Sequence, residues 1–138
     1  MRRTITLALC IISLASCEMS TRQCVDMKFG RLKQADRIDI TDNLNRRIRV
    51  ITDKEQIGQF VAFAQAHDTG WGTPWDGTPI AMIGAQFFAG EKFIGNLDVG
   101  SNFLVAQGCG YFQSRSVSHR DRKVIMDLFG VKDPYANR

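Results

Sequence analysis

The sequence predicts an α+β domain: an antiparallel sheet of about five to six strands with two helices packed on it. Three observations carry this. Apolar residues alternate with polar ones near residues 38–50 and strand-like segments recur between 80 and 115, two other stretches repeat with helical period behind capping residues, and the order reads β-β-α-β-β-β-(β)-α.

The first two strands come from Ile38 and Ile40, set between Arg37, Asp39 and Thr41, and from Ile48 and Val50, set between Arg47 and Arg49. With Asn43-Leu44-Asn45 as a three-residue hairpin loop, Ile40 faces Ile48, Ile38 faces Val50 and Asp39 faces Arg49. That register puts the four apolar side chains on one face, and Asn45 suits the left-handed position such a loop needs.

Thr52-Asp53-Lys54-Glu55 matches a capping box. Ile57, Phe60, Val61 and Ala64 follow at i, i+3, i+4 and i+7, so a helix from Asp53 to Ala66 buries one stripe and ends near Gly70. After a loop from Trp71 to Pro79, Ile80–Phe88 and Phe93–Val99 read as strands turning at Gly90-Glu91. Phe103–Gln107 and Tyr111–Arg115 extend the sheet. The second helix runs from His119 to Phe129, capped by Ser118, closed by Gly130, with Val124, Ile125 and Leu128 on one face.

Composition sets the limits on function. With 138 residues, 44% hydrophobic and 23% charged, the chain is too apolar for disorder and too short for a multidomain enzyme, a TIM barrel or a full doubly wound fold. The formal charge of +4 is partly a property of the N-terminus, where Met1-Arg2-Arg3 precedes an apolar run from Ile5 to Leu14. This is the layout of a secretory signal peptide, and the run is about half the ~20 residues a transmembrane helix needs.

The run ends in Leu14-Ala15-Ser16-Cys17, which closely resembles the lipobox of bacterial lipoprotein precursors. The resemblance covers residues 1–17 only. It implies that Cys17 is diacylated and becomes the first mature residue. Glu18, where an Asp would favour inner-membrane retention, implies the periplasmic face of the outer membrane in an organism with two membranes. The chain then divides into a leader (1–16), a lipidated tether (17–34) and a single α+β domain (35–138), and its formal charge falls to +2.

Cys10 leaves with the leader and Cys17 takes lipid, so Cys24 and Cys109 remain. In an oxidising compartment they can pair, a bridge worth about 4–5 kcal/mol on chain-entropy grounds; a buried free thiol at Cys109 and an intermolecular bond through Cys24 are the alternatives.

Several groups could carry chemistry. Cys109 with His67 or His119 could form a nucleophilic pair, although no cysteine-hydrolase motif surrounds it. Cys24, Cys109, His67 and His119 lack the short paired spacing of zinc sites, and no metal or other cofactor is expected. Asp68 and Asp76 could act as an acid/base pair on a glycan, but Asp68 also suits the end of the helix and Asp76 a turn with Gly77. Recognition is better served by Trp71 and Trp75, which either protrude to anchor a partner or fold over the sheet edge. Arg115 joins them as a candidate partner contact, within a basic group that includes Arg120, Arg122 and Lys123; Arg46, Arg47 and Arg49 form another. Met82, Ile83, Phe87, Phe88, Phe93, Ile94 and Leu97 put apolar groups on both sides of the pleat, which two helices need not cover.

Two function classes follow. The first is a lipid-anchored, non-catalytic module that binds an envelope or periplasmic protein, as inhibitor, immunity or envelope-assembly lipoproteins do. The second is a small envelope hydrolase acting on peptidoglycan or lipid. Nucleic-acid binding is disfavoured, since no recognition motif is present.

Overall fold

The computed structural model describes residues 29–74, 77, 79–108 and 111–133. A 3-10 helix (Phe29–Gln34) leads into β1 (Arg37–Asp42), β2 (Arg47–Ile51), α1 (Lys54–Ala66), β3 (Ile83–Ala89), β4 (Lys92–Val99), β5 (Phe103–Gly108), β6 (Tyr111–Ser116) and α2 (His119–Phe129). The six strands form one sheet in the order β2-β1-β3-β4-β5-β6, with every neighbouring pair antiparallel. This is the α+β class and the element order that the sequence predicts. No helix among the described residues is long and apolar enough to cross a membrane.

Both helices lie against one face of the sheet. Ile38 and Ile40 of β1, Ala85 and Phe87 of β3, and Leu97 and Val99 of β4 project there and are fully or almost fully buried. Phe60 of α1 joins the layers, with its ring centroid 6.3 Å from that of Phe87 and 5.5 Å from that of Phe129 in α2. Truncating any of these three buried rings would cost about 3–5 kcal/mol. Among the described residues no helix lies over the opposite face, a common arrangement for an antiparallel sheet.

The first hairpin matches expectation at its turn and departs from it one residue later. Asn45 has φ +58°, Thr41 pairs with Arg47, and the Asp42 carboxylate accepts the N–H groups of Leu44 and Arg46, each at 2.9 Å. A bulge at Ile48 then shifts the ladder, so that Ile38 faces Ile51, Asp39 faces Val50 and Ile40 faces Arg49. Ile51 therefore enters the core while Ile48 and Val50 stay exposed, which corrects the expected four-residue apolar face. The shift turns Arg49 toward α2, where its Nη1 donates to the Phe129 carbonyl at 2.9 Å. A cation at a helix C-terminus meets an otherwise orphaned carbonyl and the negative end of the helix dipole.

Three further expectations are refined. Packed structure is already present before Ala35: Phe29 and Leu32, one 3-10 turn apart, are buried, with Phe29 edge-on to Trp71 at 5.7 Å and Leu32 seated where Gly95 has no side chain. Asp53, not Thr52, caps α1 by accepting the Gln56 N–H at 2.9 Å. The ends of α2 are as expected, with Ser118 and Gly130 as caps, but its buried residues are Arg122, Ile125, Met126 and Phe129. Val124 faces solvent, because the internal stripe is set by Arg122, whose Nη1 donates to the Ser101 carbonyl at 2.5 Å and whose Nη2 lies 3.1 Å from Asp133.

Candidate functional site

The helix-free face of the sheet is not uniformly polar. Alternation along each strand brings Thr41 of β1, Gly84 and Gln86 of β3, Asn96 and Asp98 of β4, and Val105 and Gln107 of β5 to this side. Together with the loop segment Pro79–Ala81, they line an open groove of about 410 Å³. Phe93 and Phe112, both substantially exposed, also stand along it.

Asn96 and Asp98 are the β4 pair in the groove wall. β4 and β5 share two paired positions, Asp98 with Val105 and Val99 with Leu104. Beyond them the Asn96 side chain replaces a backbone partner: its Oδ1 accepts the Gln107 N–H at 2.9 Å, and its Nδ2 donates to Asp98 Oδ2 at 2.8 Å. Asn96 is buried, and both ends of its amide are used. Gly84 makes room for the carboxylate, since a Cβ there would overlap Asp98 Oδ1 and touch the Thr41 hydroxyl.

Burial pushes the Asp98 carboxyl up to about 6, against the smaller opposing effect of the Asn96 hydrogen bond. Asp39, on the same face, is treated differently, with Arg37 at 3.2 Å and Arg47 at 3.3 Å. Arg37 also lies over the Phe88 ring at 4.4 Å, and Phe88 packs edge-on against Phe93 at 5.9 Å. No Lys or Arg is among the described residues lining the groove. A desolvated carboxylate in a concave site, without a countercharge, is the kind of group that marks a functional surface.

The candidates expected from sequence fall elsewhere. Trp71 does not protrude: it is buried, 6% exposed, and its Nε1 donates to the His67 carbonyl at 2.6 Å. Arg115 is half-buried, and its Nη1 donates to the Thr69 carbonyl at 2.6 Å, so it braces the loop after α1. Trp75, Asp76, Cys17, Cys24 and Cys109 lie outside the described residues. His67 Nδ1 is 2.8 Å from the Phe63 carbonyl, its ring stacks on Phe63 at 4.2 Å, and its Nε2 is 3.6 Å from Asp121. His119 and Asp68 are exposed.

The basic groups are largely engaged within the fold. Arg46 holds Asp42 at 2.6 Å, Arg47 holds Asp39, Arg49 caps α2 and Arg122 is internal. Among the described residues, no three His, Cys, Asp or Glu side chains are grouped to hold a metal ion.

Two other hollows are less informative. One of about 470 Å³ runs along α1, where its buried lining residues are the apolar Ile57 and Val61; one of about 270 Å³ lies by α2 between His119 and Asp133. Sequence reading missed the groove because it weighed the strands by their apolar members. The signal was present in Gln86, Asn96 and Asp98, polar residues at alternate positions in otherwise apolar strands. No family model, curated protein or solved structure matches this chain.

Proposed function

We propose that this protein is a lipid-anchored cell-envelope binding module without catalytic activity, which engages an envelope or periplasmic protein through the uncovered face of its sheet. The observation that carries the reading is the groove, which holds buried Asn96 hydrogen-bonded to the partly buried Asp98 and has the exposed rings of Phe93 and Phe112 along it. Exposed aromatic side chains are enriched at protein-binding surfaces, where a few partly desolvated polar groups supply specificity. The resemblance of Leu14-Ala15-Ser16-Cys17 to a lipobox supports the anchor, with acylated Cys17 on the periplasmic face of the outer membrane. A Cys24–Cys109 disulfide belongs to the same proposal and would fasten the tether to the domain.

Mass spectrometry of the mature protein tests the anchor: an acylated N-terminal Cys17 is expected, and an unmodified chain starting elsewhere would contradict it. Affinity capture from envelope extract, with the full-length protein in detergent, tests the binding face. Phe93→Ala and Phe112→Ala should lose a partner that Val124→Ala retains.

A second reading, a small envelope hydrolase, draws on the raised Asp98, because a carboxylic acid near neutrality can serve as a general acid. The other carboxylate at the groove, Asp42, is committed to Arg46 and to the N–H of Leu44. Asp98→Asn abolishing turnover of peptidoglycan or phospholipid would favour this reading.

A further inference from the structure

We infer that the groove receives the guanidinium group of an arginine side chain from the protein partner, seated on the Asp98 carboxylate. The inference rests on the uncovered sheet face being a binding surface and specifies its chemistry. Its basis is charge complementarity. Asp39, on the same face, has two arginines of its own, Arg37 and Arg47; Asp98 has the Asn96 amide and, among the described residues, no cation. Asn96 occupies Oδ2 only, and Oδ1 lies over the space left by Gly84.

The surroundings suit a planar cation better than a neutral or anionic group. A guanidinium carries five donors and no acceptor, and the groove is rich in acceptors: the carboxylate, with the side chains of Gln86 and Gln107 beside it. An entering anion would meet Asp98, and a purely apolar side chain would bury that carboxylate further without pairing it. Pairing with a guanidinium offsets a desolvation that the isolated domain leaves uncompensated.

The test uses the purified full-length protein in detergent and two small probes, N-acetyl-arginine methylamide and its neutral isostere N-acetyl-citrulline methylamide. Amide shifts of Gly84–Gln86, Asn96–Asp98 and Gln107 are followed by NMR. The arginine probe should perturb these residues saturably, and both the citrulline probe and the Asp98→Asn variant should bind at least about tenfold more weakly, as expected for loss of a charge-assisted hydrogen bond. Equal shifts with citrulline, unchanged binding to Asp98→Asn, or no shift with either probe would overturn the inference. If Phe93→Ala or Phe112→Ala loses the captured partner while the arginine probe gives no response, the binding face stands and the arginine assignment fails. Loss of neither, with the probe also silent, removes both.

Discussion

Asn96 donates its side-chain N–H to the carboxylate of Asp98 at 2.8 Å, two residues further along the same strand and on the same side of the pleat. Its other amide end holds the Gln107 N–H of the neighbouring strand. One buried asparagine thus joins β4 to β5 and orients the group on which the binding proposal turns. A structural reason for the asparagine is plain, since it satisfies the Gln107 N–H. No comparable structural reason exists for an acid at 98, where Asn would accept the same hydrogen bond without a charge.

Asp98→Asn should stabilise the isolated protein at neutral pH. Burial raises the folded-state carboxyl from 3.8 to about 6, so the folded state favours the protonated form. The sign is opposite to that of a salt-bridged carboxylate: Asp98 is harmless below its unfolded value, becomes a growing cost as pH rises from 3.8 to about 6, and carries the full cost above that. At pH 7 the cost is as much as about 3 kcal/mol. Denaturant unfolding of both proteins at pH 4 and pH 7 should show Asp98→Asn ahead at the higher pH and nearly level at the lower. A variant less stable than wild type at pH 7 would mean that Asp98 has a stabilising partner.

Gly84→Ala should disturb the same site from the adjacent strand. The added methyl overlaps the Asp98 carboxylate, and overpacking of this kind costs about 1–3 kcal/mol. In an Asp98→Ala background the methyl gains room, so the double variant should lose less than the sum of the two single changes. Additive losses in chemical denaturation would show that Gly84 is needed for another reason.

Trp71→Ala should unfold the domain more readily rather than selectively weaken a partner contact. The indole is buried against Phe29 and hydrogen-bonded to the His67 carbonyl, which places the loss in the range of about 3–5 kcal/mol. Trp71→Phe, which keeps most of the packing but not the N–H, should lose about 1 kcal/mol. Thermal unfolding distinguishes these variants, and a Trp71→Ala protein as stable as wild type would contradict the placement of the ring.

Ser118→Ala should act at the junction of the two helices. The Ser118 hydroxyl accepts the Asp121 N–H at 3.0 Å and donates to the Asp121 carboxylate at 2.7 Å. The Ser118 hydroxyl first, then the His67 ring, hold Asp121 below the usual carboxylate range. Loss of the cap should cost about 1 kcal/mol at neutral pH. The part due to Asp121 is present above the ordinary carboxylate pKa and disappears as pH falls through the lowered one, so the gap should narrow in acid. NMR titration of Asp121 should show its midpoint rising in the variant, and an unmoved midpoint would remove the hydroxyl as the cause.

The sequence was most legible where local rules act alone. Ser118 and Gly130 delimit α2, Gly90 turns β3 into β4, and the stripe from Ile57 to Ala64 is the buried side of α1. It was least legible where a distant residue decides. The bulge at Ile48 has its visible consequence 80 residues away, where Arg49 meets the Phe129 carbonyl. Arg122 reads as a surface cation until Ser101 and Asp133 are brought to it. The groove was hidden for the same reason, because Gly84, Gln86, Asn96 and Gln107 become neighbours only once three strands are aligned.

A photo-crosslinking residue placed in the full-length protein in intact cells reports whether the sheet face opposite the helices meets the partner. Phe112 at the groove and Val124 on the outer side of α2 are almost equally exposed, at 44% and 46%, so they form a matched pair. A discrete crosslinked species is expected from position 112 and none from position 124. A crosslink from 124 alone, or silence at both positions, would contradict it.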